Sequence, residues 1–352
     1  MTTASVVCSP SMSRRTSART PAPKPARAIG IDVGGTGVKA ATVDVTTGEL
    51  VSGRMRLRTP QPSTPAAVVE TIGLIIDSLA DQGFADPDVP AGAGLPGVIR
   101  GGRLMTAANI DKSWLEVDAR ALIAERIGRQ VILVNDADAA GLAEMAFGAA
   151  RGRMGTVLVL TIGTGIGSAL FTDGHLLRST EFGHLTFKGR EAETLVSGAA
   201  RERRGIGWKR WAREFSEYLA LLDWWFSPDL VVLGGGVSKE YGKYEKWLTS
   251  RAPIVTAAML NTAGIVGAAL AAALGPAAGD SAAIGEEAGE AGASTALAAA
   301  LSQAAPDGET TTAEGDTREP AVAAAAGAGT TEDGAGRAPA GEPSAASDPA
   351  QG

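Results

Sequence analysis

Asn135, Asp136 and Asp138 fall within four positions, directly after the apolar run 131–134. An amide and two acids at that place have two physical readings. Asn and Asp side chains accept hydrogen bonds from the orphan N–H groups of a helix's first turn, so the segment can be a cap, with Asp138 as the acid facing the helix dipole. Alternatively, the Asp136 carboxylate at a strand end can take a proton from a bound hydroxyl. Two glycine loops carry the next chemistry. One is Gly34-Gly35-Thr36-Gly37 with Lys39 just beyond it; the other is Gly163-Thr164-Gly165-Ile166-Gly167. Glycine admits backbone conformations that turn successive N–H groups toward an anion. Each loop alone can also be an ordinary hairpin turn. Two of them, with Thr36 and Thr164 at matching places, suggest one phosphorylated ligand held from both sides. The G-x-x-x-x-G-K-[ST] loop is absent, and GTGIG has the wrong spacing for a dinucleotide fingerprint and runs into a strand. Asp32, at the strand end before the first loop, suits Mg²⁺ held through water, because that ion takes one or two carboxylates plus phosphate oxygens.

The elements that must position these residues follow from periodicity. Segments 28–33, 38–45 and 50–58 read as an antiparallel meander, and 66–80 as a helix with Val68, Val69, Ile72, Ile75, Ile76 and Leu79 on one face. A strand at 89–94, a helix at 117–127, a strand at 131–134 and a helix at 137–149 complete a first half. The pattern then restarts with strands at 156–161 and 168–172. A long helix at 205–226, a strand at 229–233, a helix at 238–249, a strand at 254–256 and a helix at 263–274 follow. Strand–glycine loop–strand thus occurs twice, each time followed by helices and strands. This is a weak internal repeat of α/β type and predicts two similar domains, 28–135 and 136–275, with a cleft between them.

Composition bounds the rest. Residues 1–27 are rich in Ser, Thr, Pro and Arg, and residues 276–352 are mostly small or acidic; both are expected to be disordered, since neither can bury enough apolar surface to offset its ordering entropy. The whole chain carries a net charge of −7. The tail is strongly acidic and the arm basic, so the 28–275 body is nearly neutral and its charge does not demand a polyanionic partner. Cys8 is the single cysteine. It allows no disulfide within the chain and no thiolate metal cage. The arm has Arg14, Arg15 and Arg19 without an apolar core behind them, and the apolar run 263–274 is too short to span a bilayer, so a cytoplasmic protein without a membrane partner is expected.

IDVGGTGVK (31–39), LVNDADAAG (133–141), LTIGTGIGSAL (160–170), EFGHL (181–185) and VVLGGGVS (231–238) occur in the order seen in the ROK family of sugar kinases and repressors, which the body resembles over 28–275. ANIDKSW (108–114) and TPQP (59–62) resemble, within it, the polyphosphate glucokinases of actinobacteria. The resemblance implies a two-domain actin-like ATPase (ribonuclease H-like) fold with a cleft between the domains. It implies phosphoryl transfer from inorganic polyphosphate, or also from ATP, to the 6-hydroxyl of glucose, with Asp136 as general base and Mg²⁺ as cofactor. Asn109, Asn135, Glu181, His184 and Glu193 match sugar contacts. The glycine loops, Lys39, Lys112, Gly235 and Gly236 match the phosphate side.

The chain departs from the wider family in three ways. The region after EFGHL has no cysteine, so His184 cannot complete a tetrahedral zinc site and no zinc is expected. The arm is too short and polar for a helix-turn-helix, so no DNA partner is expected. Leu95 stands where an aromatic residue is usual. Basic residues gather at Lys188 and Arg190, at 201–213, and at Lys239, Lys243 and Lys246, either as a polyanion track or as solvated faces. Other acceptors, such as mannose, remain open, as does a non-catalytic sugar sensor. The family commonly forms homodimers, and Trp224, Trp225 and Phe226 offer either apolar surface for a partner or ordinary core packing.

Overall fold

Each half of the body builds a five-stranded sheet with one strand order, and the two sheets share a layer of helices. The computed structural model describes residues 26–107 and 110–275. The first half runs β1 (Arg27–Gly34), β2 (Gly37–Asp44), β3 (Met55–Leu57), α1 (Pro65–Asp81), β4 (Ala91–Leu95), the small hairpin β5 (Ile99–Arg100) and β6 (Arg103–Leu104), α2 (Ala119–Ile127) and β7 (Val131–Asn135). Its sheet has the order β3-β2-β1-β4-β7, antiparallel in the meander and parallel from β1 to β7.

The second half runs α3 (Asp136–Phe147), β8 (Thr156–Ile162), β9 (Ile166–Thr172), β10 (His175–Leu177), the hairpin β11 (Thr186–Phe187) and β12 (Arg190–Glu191), α4 (Glu193–Val196), α5 (Gly198–Arg203), α6 (Trp208–Phe226), β13 (Leu230–Gly234), α7 (Gly235–Ser238), β14 (Ile254–Thr256) and α8 (Ala263–Leu274). Its sheet order, β10-β9-β8-β13-β14, repeats the first: a meander, then parallel strands. Among the described residues no helix is long and apolar enough to cross a membrane.

Strand alternation sorts the core into layers. Ile29, Ile31 and Val33 face α1 and α2, while Ala28, Ala41 and Val43 face the opposite way, toward Ala143 and Ala146 of α3 and Ile265 and Ala269 of α8. In the second sheet Leu158 and Leu160 pack on Phe215, Leu219 and Leu222 of α6, while Val157 and Val159 face Leu142 and Met145 of α3 and Ala268 and Ala271 of α8. Helices α3 and α8 therefore lie between the sheets. A helix in that place must be apolar all round, and α8, AGIVGAALAAAL, is.

Glycines set how closely α8 approaches. A Cβ on Gly30 would lie 1.8 Å from the Ile265 carbonyl oxygen, one on Gly92 1.9 Å from that of Ala268, and one on Gly267 1.6 Å from that of Ala139. So α8, the last helix among the described residues, returns to pack on β1 and β4 of the first sheet.

Two expected elements differ. The strand at 50–58 shrinks to β3 plus an isolated Val43–Leu50 bridge, because the Ser52 hydroxyl accepts the Thr42 amide and takes the place of a ladder bond. The helix at 238–249 is replaced by two 3₁₀ turns, Tyr241–Lys243 and Glu245–Trp247, that follow the short α7 ending at Ser238. Tyr241, Tyr244 and Trp247 recur every third residue, the 3₁₀ period. Tyr244 is buried against the rings of Trp208 and Trp211, 5.2 and 4.9 Å between centroids.

Candidate active site

The first turn of α3 is where chemistry and capping meet. Asn135 is the N-cap: its Oδ1 accepts the amides of Ala137 and Asp138 at 2.9 and 3.0 Å. Its Nδ2 donates to the Gly97 carbonyl at 3.0 Å and to Glu181 Oε1 at 3.3 Å. The capping role predicted for this segment thus belongs chiefly to Asn135, while Asp136, the first helical residue, accepts the Ala137 amide through Oδ1 at 2.9 Å. Burial, and after it the charge of Asp32, pushes the Asp136 carboxyl up to about 7, with Glu181 adding to the same effect. A carboxylate poised near neutrality is suited to proton transfer.

Asp136 lines two cavities at once. One, of about 220 Å³, is walled by Gly97, Asn135, Glu181, His184, Glu193 and the loop 163–167. These are amides, acids and an imidazole, the donors and acceptors that hydroxyl groups need. Glu181 is pushed up by burial, with His184 opposing. His184 stands between two acids, 3.7 Å from Glu181 and 3.4 Å from Glu191, with its side chain 42% exposed. Glu193 opens α4 and reaches back to accept the Ile166 amide at 3.1 Å. It occupies the space over Gly165, where a Cβ would come within 2.4 Å of its Oε2.

The other cavity, of about 370 Å³, shares Asp136, Thr161 and Gly235 with the first and adds Asp32, Lys39, Lys239 and Gly236. Lys39 Nζ lies 2.7 Å from Asp32 Oδ2. Ala263 and Gly264 also line it, so α3 and α8 both begin here and point the positive ends of their dipoles into it. Cations, helix starts and glycine amides are the groups a phosphate needs, and they gather here. Asp32, an all-oxygen ligand beside them, fits Mg²⁺, which keeps most of its waters and takes few protein ligands. A third cavity, of about 430 Å³, continues from Gly163, Thr164 and Gly236 to Arg201, Trp208 and Lys243. The Arg201 guanidinium stacks over Trp208 at 4.0 Å.

The fold thus brings together Asn135, Asp136, Glu181, His184 and Glu193 on one side of Asp136 and Asp32, Lys39, Gly235 and Gly236 on the other, with Gly163, Thr164, Gly165 and Gly167 along the first cavity. Gly34, Gly35, Thr36 and Gly37 form the turn joining β1 to β2 and line none of these three cavities. Asn109 lies outside the described residues. Lys112 is exposed at the start of a 3₁₀ turn capped by Asp111 and lines none of these cavities either.

Much of the predicted basic track is spent on acids: Lys188 pairs with Glu217, Arg204 and Arg210 with Glu214, and Lys243 with Glu240. Of the aromatic trio, Phe226 stacks on Phe182 at 4.4 Å, whereas Trp224 and Trp225 are 80% and 68% exposed. Leu95 is fully buried in β4.

Arg56, which lines none of these cavities, braces the 34–37 turn: its Nη2 donates to the Thr36 carbonyl at 3.4 Å and its guanidinium lies over Gly37. Asp138 stands in the first turn of α3, as expected for an acid facing the helix dipole; its burial, to 1% exposed, was not foreseen.

The model of the family described as "ROK family" matches residues 28–204. A polyphosphate glucokinase from Mycobacterium tuberculosis is 46% identical over 244 residues, spanning 69% of this chain and 90% of that protein. The crystal structure of an inorganic polyphosphate/ATP-glucomannokinase from Arthrobacter sp. strain KM is 47% identical, covers 71% of this chain and 99% of that one, and superposes with a TM-score of 0.66. A ROK family glucokinase from Streptomyces griseus, solved with glucose and AMPPNP, is 27% identical, covers 71% of this chain and all of that one, and has a TM-score of 0.60.

Proposed function

We propose, from the premise that this chain belongs to the ROK family and has its actin-like fold, that it transfers a phosphoryl group from inorganic polyphosphate to the 6-hydroxyl of glucose. The observation that carries the reading is the position of Asp136 on the common wall of a polyol-suited cavity and a phosphate-suited one. Glucose sits among Asn135, Glu181, His184 and Glu193, and the 6-hydroxyl faces Asp136; Asn109 belongs to the same set by resemblance. As the oxygen bonds to the terminal phosphorus, its proton passes to Asp136, the bridging P–O bond breaks, and polyphosphate leaves one unit shorter. The transition state is loose, so positioning and charge neutralisation carry most of the rate. Lys39, Lys239, the glycine amides and the starts of α3 and α8 supply them, with Lys112 and the 34–37 turn further out. Mg²⁺ held through water at Asp32 would neutralise phosphate charge there. No zinc is required.

A second reading, ATP as an additional donor, is favoured by the third cavity, where the Arg201 guanidinium, seated on Trp208, lines the wall as a flat cationic surface. The Arthrobacter relative's description as polyphosphate/ATP-glucomannokinase points the same way and extends the acceptor range to mannose. The reading takes the halves 28–135 and 136–275 as the walls of the cleft and places the enzyme in the cytoplasm. It takes the enzyme as a homodimer, with Trp224 and Trp225 as surface to cover; sedimentation of a Trp224→Ser/Trp225→Ser variant tests that point. No DNA partner and no membrane partner belong to it.

The deciding experiment is glucose 6-phosphate formation with Mg²⁺, comparing nucleotide-free polyphosphate with ATP at matched phosphoryl concentration, with Asp136→Asn as control. Turnover on polyphosphate that is lost in the variant supports donor, acceptor and base together. Turnover on ATP alone overturns the donor.

A further inference from the structure

Asp138 is buried beside the base, and the phosphoryl-transfer chemistry leaves it without a task. It is the third residue of α3, 1% exposed. Its Oδ2 accepts the Ser179 amide at 2.7 Å. Its Oδ1 is buried and has no hydrogen-bond partner among the described residues. An acid that only served the helix dipole would do so from water, without this desolvation cost.

The Ser179 amide belongs to the turn that delivers Glu181. Ser179 has φ +55°, the left-handed region that a residue with a side chain adopts only when its surroundings hold it. The next residue, Thr180, is fixed from the other side: Ser168 Oγ on β9 donates to the Thr180 carbonyl at 2.8 Å, and the Thr180 hydroxyl donates to the Ser168 carbonyl at 2.9 Å. Glu181 is then bound to Asn135 Nδ2. The first turn of α3 grips this segment at two points, Asn135 to Glu181 and Asp138 to Ser179, and Asp136 lies between them in the chain.

We propose that Asp138 is a positioning residue, which through the Ser179 amide locks the turn bearing Glu181 to the helix bearing Asp136, so that the sugar site and the base keep one geometry. The proposal rests on the kinase reading above. The groups facing Asp138 are Asp136, Glu181 and Arg178, and burial against that mostly negative company pushes its carboxyl up to about 8. Near neutrality the side chain is then largely uncharged, with one oxygen still accepting from Ser179. An asparagine can do the same.

The test compares Asp138→Ala and Asp138→Asn in the full chain, each alone and in a Glu181→Gln background, by steady-state kinetics and by calorimetric glucose binding. Asp138→Ala is expected to raise KM for glucose about tenfold, because a small misplacement of a binding group is costly, while leaving KM for polyphosphate within about twofold. Asp138→Asn is expected to restore glucose KM to within about twofold of the parent, since it keeps the oxygen that accepts from Ser179. In the Glu181→Gln background the effect of Asp138→Ala should largely vanish, the mark of one residue acting through the other.

A glucose KM unmoved by Asp138→Ala, or equal effects in both backgrounds, overturns the proposal. So does an Asn variant as impaired as the Ala variant. If Asp138→Ala does not fold, Asp138→Ser, which is too short to reach the Ser179 amide, takes its place in the same cycle. A parent protein that binds glucose but turns over neither donor overturns the kinase reading, and calorimetry still decides on Asp138. A parent that binds no glucose overturns both.

Discussion

Lys39 and Arg56 stand directly opposite each other across β2 and β3, two cations on one face of the sheet. Lys39 is neutralised by Asp32 on its other side. Arg56 spends only a long hydrogen bond on the Thr36 carbonyl. With Lys39 already paired, Arg56 is the exposed cation of the two that has no acid partner among the described residues and so is open to an incoming anion. Arg56→Gln is therefore expected to raise KM for polyphosphate several-fold and to flatten its dependence on salt, with glucose KM unchanged, in initial-rate assays across ionic strength.

The pH profile should report the base. Asp136 must be unprotonated to accept the hydroxyl proton, and its carboxyl is raised to about 7. Activity therefore falls as pH drops through that value, and kcat/KM should show an acid limb near neutrality rather than near 4. Asp136→Asn should lower kcat by about 10²–10⁴-fold above that pH and abolish the limb, so that the loss shrinks as the pH falls.

Gly165 offers a test of Glu193 without touching it. A Cβ there would strike the far end of the Glu193 side chain, 2.4 Å from Oε2. Gly165→Ala should swing the carboxylate away, raise KM for glucose by about tenfold and leave the melting temperature nearly unchanged, since a flexible side chain can yield where backbone cannot. Kinetics and a thermal melt on the same preparation check both halves.

The seat of α8 should be intolerant in a different way. Gly30→Ala places a methyl group 1.8 Å from a backbone carbonyl, while Gly53→Ala meets nothing within 4 Å. The first should cost about 1–3 kcal/mol or more through overpacking, and the second should be close to neutral. Paired thermal or denaturant unfolding decides it.

How much of this was legible beforehand depends on the range of the forces involved. The meanders, the glycine turns, α1, the run into Asp136 and the apolar α8 all show in local periodicity, because a strand or helix face is written in residues two to four apart. The 238–249 segment misled because its aromatic spacing fits a helix loosely and 3₁₀ turns better, and the burial of Tyr244 against Trp208 and Trp211 lies beyond any local window. The basic clusters looked like a track because Glu214, Glu217 and Glu240 had not yet been paired with them in space.

By itself, then, the sequence determined the doubled α/β pattern, the two glycine turns and the residue types at the head of α3. Those features rest on backbone preference and on side-chain alternation, which act within a few residues. Tertiary structure alone decided that α8 returns to the first sheet, that Asn135 caps so Asp136 need not, and that Asp138 is buried on the Ser179 amide. It also decided that Asp136 is raised by burial and, after it, by the charge of Asp32, a residue more than a hundred positions away. Close packing, desolvation and electrostatics depend on distance in space, and only the folded chain sets that distance.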